Sequence, residues 1–221
     1  ETDVGLLRYL RDPARRYSPA RWARQRRMER AARWMDSLPR PARIIDIGGT
    51  QRFWETVGLA GSDELHITLV NLRPEPTDFA NITAEEGDAT SLDRYADGSF
   101  DAVFSNSVIE HVGAPAGAEA MAAEVRRLSS RYYVQTPNRW FPIEPHYLFP
   151  GFQFLPVWAK AWLLRHLPLA WVGRIADPEE AERVAREVQL MGAADLHRLF
   201  PEATVERERI LGLTKSIIAV R

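Results

Sequence analysis

The 221-residue sequence contains no cysteine. Disulfides, thiolate metal sites and a cysteine nucleophile are therefore excluded. Lysine is nearly missing as well, with only Lys160 and Lys215, so arginine carries the positive charge. Lys and Arg total 29 against 30 Asp and Glu, a net charge of −1 that supplies no global field toward a nucleic-acid backbone. An amino-terminal apolar stretch with a cleavage site is absent. So is a membrane span: the most apolar window, residues 155–172, is interrupted by Lys160, Arg165, His166 and Pro168. A cytoplasmic chain without nucleic-acid partners is expected, and its length and 45% hydrophobic content suit one well-buried domain.

What is present alternates between strand-like and helix-like segments. Ser18-Pro19 signals a helix start, followed by an Arg-rich stretch in which Trp22, Ala31, Trp34, Met35 and Leu38 can share a face until Pro39 and Pro41. Residues 42–47 form a short apolar run ending in Gly48-Gly49-Thr50, and 53–59 can begin a helix. Further strand-like runs fall at 65–72, 100–105 and 132–135, with a helical stretch at 117–128. Runs at 203–209 and 214–220 flank Leu211-Gly212 as an edge hairpin. Alternating strands and helices predict an α/β fold with a mainly parallel sheet.

In such a sheet a ligand lies beyond the carboxyl ends of the strands, where glycine permits close backbone approach. Asp46-Ile47-Gly48-Gly49-Thr50 sits at the first such end, although a tight structural turn explains two glycines equally well. Asn71 closes the second run, where its carbonyl oxygen can accept from ribose hydroxyls, the alternative being an Asx turn before Pro74. Gly87-Asp88-Ala89 offers a carboxylate and a following N–H suited to an adenine. A dinucleotide-dependent oxidoreductase would prefer a complete G-x-G-x-x-G and an acid near Asn71.

Together with the stretch Asp97-Gly98-Ser99-Phe100-Asp101-Ala102-Val103-Phe104-Ser105-Asn106-Ser107-Val108-Ile109-Glu110-His111-Val112, these features resemble the class I S-adenosylmethionine-dependent methyltransferase superfamily over residues 43–221. The resemblance implies a Rossmann-like fold with S-adenosyl-L-methionine as cofactor. It places Asp46, Gly48, Gly49 and Thr50 at the methionine moiety, Asn71 and Leu72 at the ribose, Asp88 and Ala89 at the adenine, and Ser105 and Asn106 beside the sulfonium. Two departures stand out: Thr50 and Arg52 occupy positions where the family's turn has further glycines, and Asn71 replaces its usual acid.

The acceptor side is expected in the loop after the 132–135 strand, stiffened by Pro137, Pro142 and Pro145. Methyl transfer to a hydroxyl needs an in-line nucleophile, exclusion of water and a proton acceptor. His146 is the first choice as general base, with Glu144 orienting it or binding a substrate hydroxyl, and His111 is the second. A surface His and Glu on a rigid loop is the plain alternative. Glu110, His111, Glu144 and His146 could also hold a hard divalent ion such as Mg2+, although no ligand spacing compels it. His66, His166 and His197 read as structural.

The resemblance is nearest to small actinobacterial methyltransferases with a Pro-Asn-Arg-Trp-Phe-Pro-Ile-Glu-Pro-His loop, some similar to enzymes of sugar methylation. It implies an O-methyltransferase of a sugar or oligosaccharide hydroxyl, such as a mannoside. A quinone, phenolic or lipid acceptor would use the same base, and a cofactor-binding relic serving assembly is the non-enzymatic alternative. The expected layout is an N-terminal lid and helix at 1–41, a cofactor-binding core at 42–136, an acceptor-side insertion at 137–176, and C-terminal helices with the edge hairpin at 177–221. Between Arg8 and Arg43 stand twelve arginines against Asp12, Glu29 and Asp36. This bias reads first as compositional habit, and second as a basic arm that folds, with Tyr9, Tyr17 and Trp22, over the cofactor entrance. Aromatics from Trp140 to Trp171 pack, line a pocket, or form a homodimer face within 147–172.

Overall fold

The computed structural model describes residues 19–113, 115–169 and 173–221, with side chains from residue 24 onward. The lid expected from Tyr9 and Tyr17, the side chain of Trp22 and the ring of Trp171 lie outside the described residues.

Nine strands and six α-helices follow in order: α1 (Pro19–Asp36), β1 (Ala42–Ile47), α2 (Gln51–Thr56), β2 (Leu65–Asn71), β3 (Ile82–Glu86), β4 (Ala102–Asn106), α3 (Pro115–Leu128), β5 (Tyr132–Pro137), β6 (Ile143–Glu144), β7 (Phe149–Pro150), α4 (Val157–His166), α5 (Pro178–Glu187), α6 (Ala193–Leu199), β8 (Thr204–Ile210) and β9 (Leu213–Val220), among the described residues. Seven strands form one sheet in the order β3-β2-β1-β4-β5-β9-β8. The first five run parallel, while β9 pairs antiparallel with β5 and with β8. This is the mainly parallel sheet with an antiparallel edge hairpin that the sequence predicts.

The chain runs outward from β1 through β2 to β3, then returns to place β4 on the other side of β1. That reversal opens a crevice at the carboxyl ends of β1 and β4, the usual ligand position in open α/β sheets. Both sheet faces are covered, so β1 is apolar at consecutive positions instead of alternating. Ile44 faces a core built with Ala31 and Met35 of α1, Leu38 just beyond it and Trp54 of α2. Ile45 and Ile47 face another, with Met121, Ala122, Val125 and Leu128 of α3 and Leu196 and Leu199 of α6. The α3 residues recur at helical spacing, its first residue is Pro115, and Arg126 and Arg127 sit in its last turn, where cations complement the helix dipole.

Ala31 and Met35 of α1 and Leu38 just after it are buried and Trp34 packs against them, so this part of the apolar face read for the helix is buried; the side chain of Trp22 is not described. Arg27 donates to Glu208 and Ser216, and Arg30 to Glu206, tying α1 to the edge hairpin. A third, smaller core joins Tyr147 and Phe152 to Leu164 of α4 and Ala181, Val184 and Ala185 of α5. Part of the aromatic segment therefore packs as expected, while Trp140 (70%), Trp158 (75%) and Trp162 (55%) stay exposed. Strand β3 is one that periodicity alone does not reveal: only Ile82 of its five residues is buried. No described helix is long and apolar enough to cross a membrane.

Candidate active site

At the carboxyl end of β1 the Asp46 carboxyl is buried, and Trp54 of α2 donates its indole N–H to Oδ2 at 2.8 Å. Its Oδ1 has no partner. Burial disfavours the charged form and raises the pKa to about 7, against the opposing effect of the Trp54 bond. The two glycines that follow answer to this group and to Val108. A Cβ at Gly49 would lie 1.8 Å from Asp46 Oδ2, and one at Gly48, whose φ is +75°, would lie 2.3 Å from Val108 Cγ2. Gly48 N–H donates to Val70 O at 2.8 Å, pinning the turn to the end of β2. A complete glycine-rich turn is thus unnecessary here, because Thr50 stands exposed as the residue preceding α2, in extended conformation.

Asn71, half-buried at the end of β2, donates Nδ2 to Gly49 O at 2.9 Å. The amide is tied to the glycine turn and not folded into an Asx turn before Pro74; its Oδ1 is left as an acceptor. Gly49, Thr50, Asn71 and Arg73 line a cavity of about 150 Å³. Leu72 is 70% exposed beside it. The Asx turn occurs instead at Asp88, where Oδ1 accepts from Thr90 N (2.8 Å) and Thr90 Oγ (2.7 Å). Those bonds hold the Asp88 pKa below the ordinary carboxylate value, leaving a charged Oδ2 at the surface. Ala89, next in line, packs on the α3 side of the sheet. At the end of β4, the buried Ser105 hydroxyl donates to Ile47 O at 3.0 Å, a cross-strand tie, and Asn106 is half-buried beyond it.

The acceptor-side residues converge from two loops. Strands β4 and β5 are parallel neighbours with Asn106 opposite Gln135, so the loops that leave them begin side by side. His146 Nδ1 lies 2.7 Å from Glu144 Oε1, while Glu144 Oε2 accepts the Tyr147 N–H at 2.7 Å. Glu144 is 2% exposed, a buried carboxylate held by two donors. On its other side His146 Nε2 meets His111 Nε2 at 3.2 Å, the rings nearly perpendicular at 88°. Burial works against a protonated His146, but the Glu144 hydrogen bond and the charges of Glu144, Glu110 and Glu187 outweigh it and raise its pKa. Packing around the ring and the His146 charge lower that of His111. The two histidines weighed as rival bases are direct partners.

Thr136 was not picked out from sequence, and it partners Glu110, which was read there only as a possible metal ligand. Thr136 donates its hydroxyl to Glu110 Oε2 at 2.9 Å, and Glu110 Oε1 is buried without a partner. Burial raises the Glu110 pKa to about 7, opposed by its backbone and Thr136 hydrogen bonds. The signal was a threonine closing a wholly buried strand, but its partner, 26 residues away, is visible only in three dimensions. Among the described residues, Glu110, His111 and His146 bring potential ligand atoms within 4.8 Å of one another. Glu144 is not in that group; its two oxygens meet His146 and the Tyr147 N–H.

Residues 46–131 match the family described as a methyltransferase domain. Together with the sheet order, this match supports a class I S-adenosylmethionine-dependent methyltransferase. No curated protein matches by sequence. Among solved structures, the Burkholderia thailandensis 1,6-didemethyltoxoflavin-N1-methyltransferase, bound to 1,6-didemethyltoxoflavin and S-adenosylhomocysteine, is 16% identical with TM-score 0.55, covering 90% of this chain and 80% of that one. An O-methyltransferase family protein from the same organism is 12% identical with TM-score 0.51, covering 89% of this chain and 55% of that one. A Rhodobacter sphaeroides protein provisionally assigned to the Zn-dependent alcohol dehydrogenases is 13% identical with TM-score 0.54, covering 86% and 87%. At these identities the likeness speaks for the fold alone.

Proposed function

We propose that the chain is an O-methyltransferase that uses S-adenosyl-L-methionine to methylate a hydroxyl of a small molecule, with His146 as general base. The observation that carries this reading is the chain Glu144–His146–His111, linked at 2.7 and 3.2 Å beside the carboxyl ends of β4 and β5. The cofactor, when bound, supplies an electrophilic methyl group on a cationic sulfur. Asn71 Oδ1 fits it as a ribose acceptor beside Leu72, and Asp88 Oδ2 with the Ala89 N–H as the adenine contacts. The unpartnered Asp46 Oδ1, beneath Gly48, Gly49 and Thr50, fits a cationic amino group, which would also offset the cost of its burial. Ser105 holds β4 to β1 and Asn106 stands at the rim of the same crevice.

With Nδ1–H directed to Glu144, His146 keeps Nε2 as its basic atom; that nitrogen faces His111 Nε2, and an acceptor hydroxyl would take the place of His111 there. His146 takes the acceptor's hydroxyl proton, and Glu144 stabilises the resulting imidazolium through a charge-assisted bond. His111 lies at the same nitrogen and positions the pair, its own neutral form favoured.

A sugar or oligosaccharide hydroxyl, mannosides first, is the acceptor class of this proposal. Exposed Trp140, packed against Phe154 with ring centroids 5.7 Å apart, provides a face of the kind that stacks on sugar rings. The test is a mass-shift screen with purified protein and cofactor, beginning with mannose oligosaccharides and partly methylated sugars. A gain of one methyl group on a sugar supports the assignment. Methylation of quinones, phenols or lipids alone would overturn the sugar acceptor, and a folded chain that binds no cofactor would overturn the enzyme reading in favour of a relic.

A further inference from the structure

We infer that Glu110, His111 and His146 form a binding site for one divalent transition-metal ion of the zinc or cobalt class. The facing Nε2 atoms are the first argument. They lie 3.2 Å apart, and two imidazole nitrogens bound to one tetrahedral ion at about 2.0–2.1 Å stand about 3.3 Å from each other. The separation of the two nitrogens is therefore already that of a shared ion.

Glu110 supplies the second, independent argument. It is fully buried, Thr136 satisfies Oε2, and Oε1 is left with no partner although a carboxylate oxygen lies within 4.8 Å of both ring nitrogens. An orphaned buried carboxylate oxygen is costly unless something positive meets it. A Glu110 oxygen within 4.8 Å of both imidazoles is in reach of a third-ligand position. The outer shell is in place: Glu144 holds His146 through Nδ1, the arrangement that fixes a ligating imidazole's tautomer and raises its basicity. Glu187 adds negative charge near both rings.

Three protein ligands leave a fourth position open, on the side where His111 is exposed. The site stands apart from the proposed base: with both Nε2 lone pairs on an ion, His146 would serve as a ligand, and the ion would supply the acidification of an acceptor hydroxyl in the open position.

The test reads binding alone, without cofactor or acceptor. Tag-free, metal-free full-length chain is titrated with Co2+ by visible absorption and with Zn2+ by calorimetry, with circular dichroism melting as the fold control. One ion per chain is expected, with the intense visible bands of low-coordinate cobalt, at least about tenfold weaker binding in both Glu110→Gln and His111→Ala, and no comparable response to Mg2+. Failure of the folded protein to bind one equivalent, or binding undiminished in both variants, would overturn the site. A chain that binds cobalt but methylates nothing would overturn the proposed activity and leave the site standing.

Discussion

Replacing Asp46 with asparagine keeps the shape of the side chain and an oxygen for the Trp54 N–H while removing an ionisable group from a fully buried position. The carboxyl has a pKa of 3.8 when unperturbed and about 7 in the folded chain, because burial opposes its charge. The folded value is raised, so below pH 3.8 the acid is protonated in both states and carries no linkage cost. Between that value and about 7 the unfolded chain ionises while the folded chain keeps its proton, and stability falls as pH rises; above 7 the loss is complete. A shift of this size, at 1.36 kcal/mol per pH unit, amounts to at most about 4 kcal/mol. Asparagine has no such cost. Urea unfolding of both proteins across this range should show near-equal stability at pH 4 and an advantage for Asp46→Asn that grows to a few kcal/mol at pH 8. A difference independent of pH, or a variant less stable than the parent at pH 8, would refute this account of Asp46. The same variant is expected to bind cofactor more weakly, a trade of function for stability.

The other predictions concern the turn and the base. Gly49→Ala drives a Cβ into the Asp46 carboxylate and should cost about 1–3 kcal/mol, seen as a lower melting temperature; unchanged melting would mean that the turn relaxes freely. His146→Ala should lower methyl transfer about 10²- to 10⁴-fold while leaving affinity for S-adenosylhomocysteine within a few-fold, and a variant that keeps most of its activity would move the role elsewhere. Glu144→Gln retains the shape but not the charge behind His146, so kcat should fall about tenfold with little change in cofactor affinity, the equivalent of about 1.4 kcal/mol.

Much of the sheet can be read from residue pattern because β1, β2, β4 and β5 are covered on both faces and carry dense apolar runs. Strand β3 escapes that reading: it is the sheet's edge, and Thr83 and Glu86 face solvent. The edge hairpin is legible from Leu211-Gly212, both at positive φ. For the site, residue types and loop positions are legible but partnerships are not. His111 and His146 are 35 residues apart and meet because β4 and β5 lie side by side in the sheet. Asp46 and Trp54 are joined by the descent of α2 beneath the turn, which no periodicity records. Asn71 and Asp88 also divide their work differently from the simplest expectation, the first bracing the glycine turn and the second closing its own Asx turn.

Calorimetric titration of the full chain with S-adenosylhomocysteine tests the central claim most directly. The account predicts saturable binding at one site per chain, weakened by Asn71→Ala, which removes both the brace on Gly49 and the ribose acceptor. Absence of binding by protein shown to be folded would contradict it.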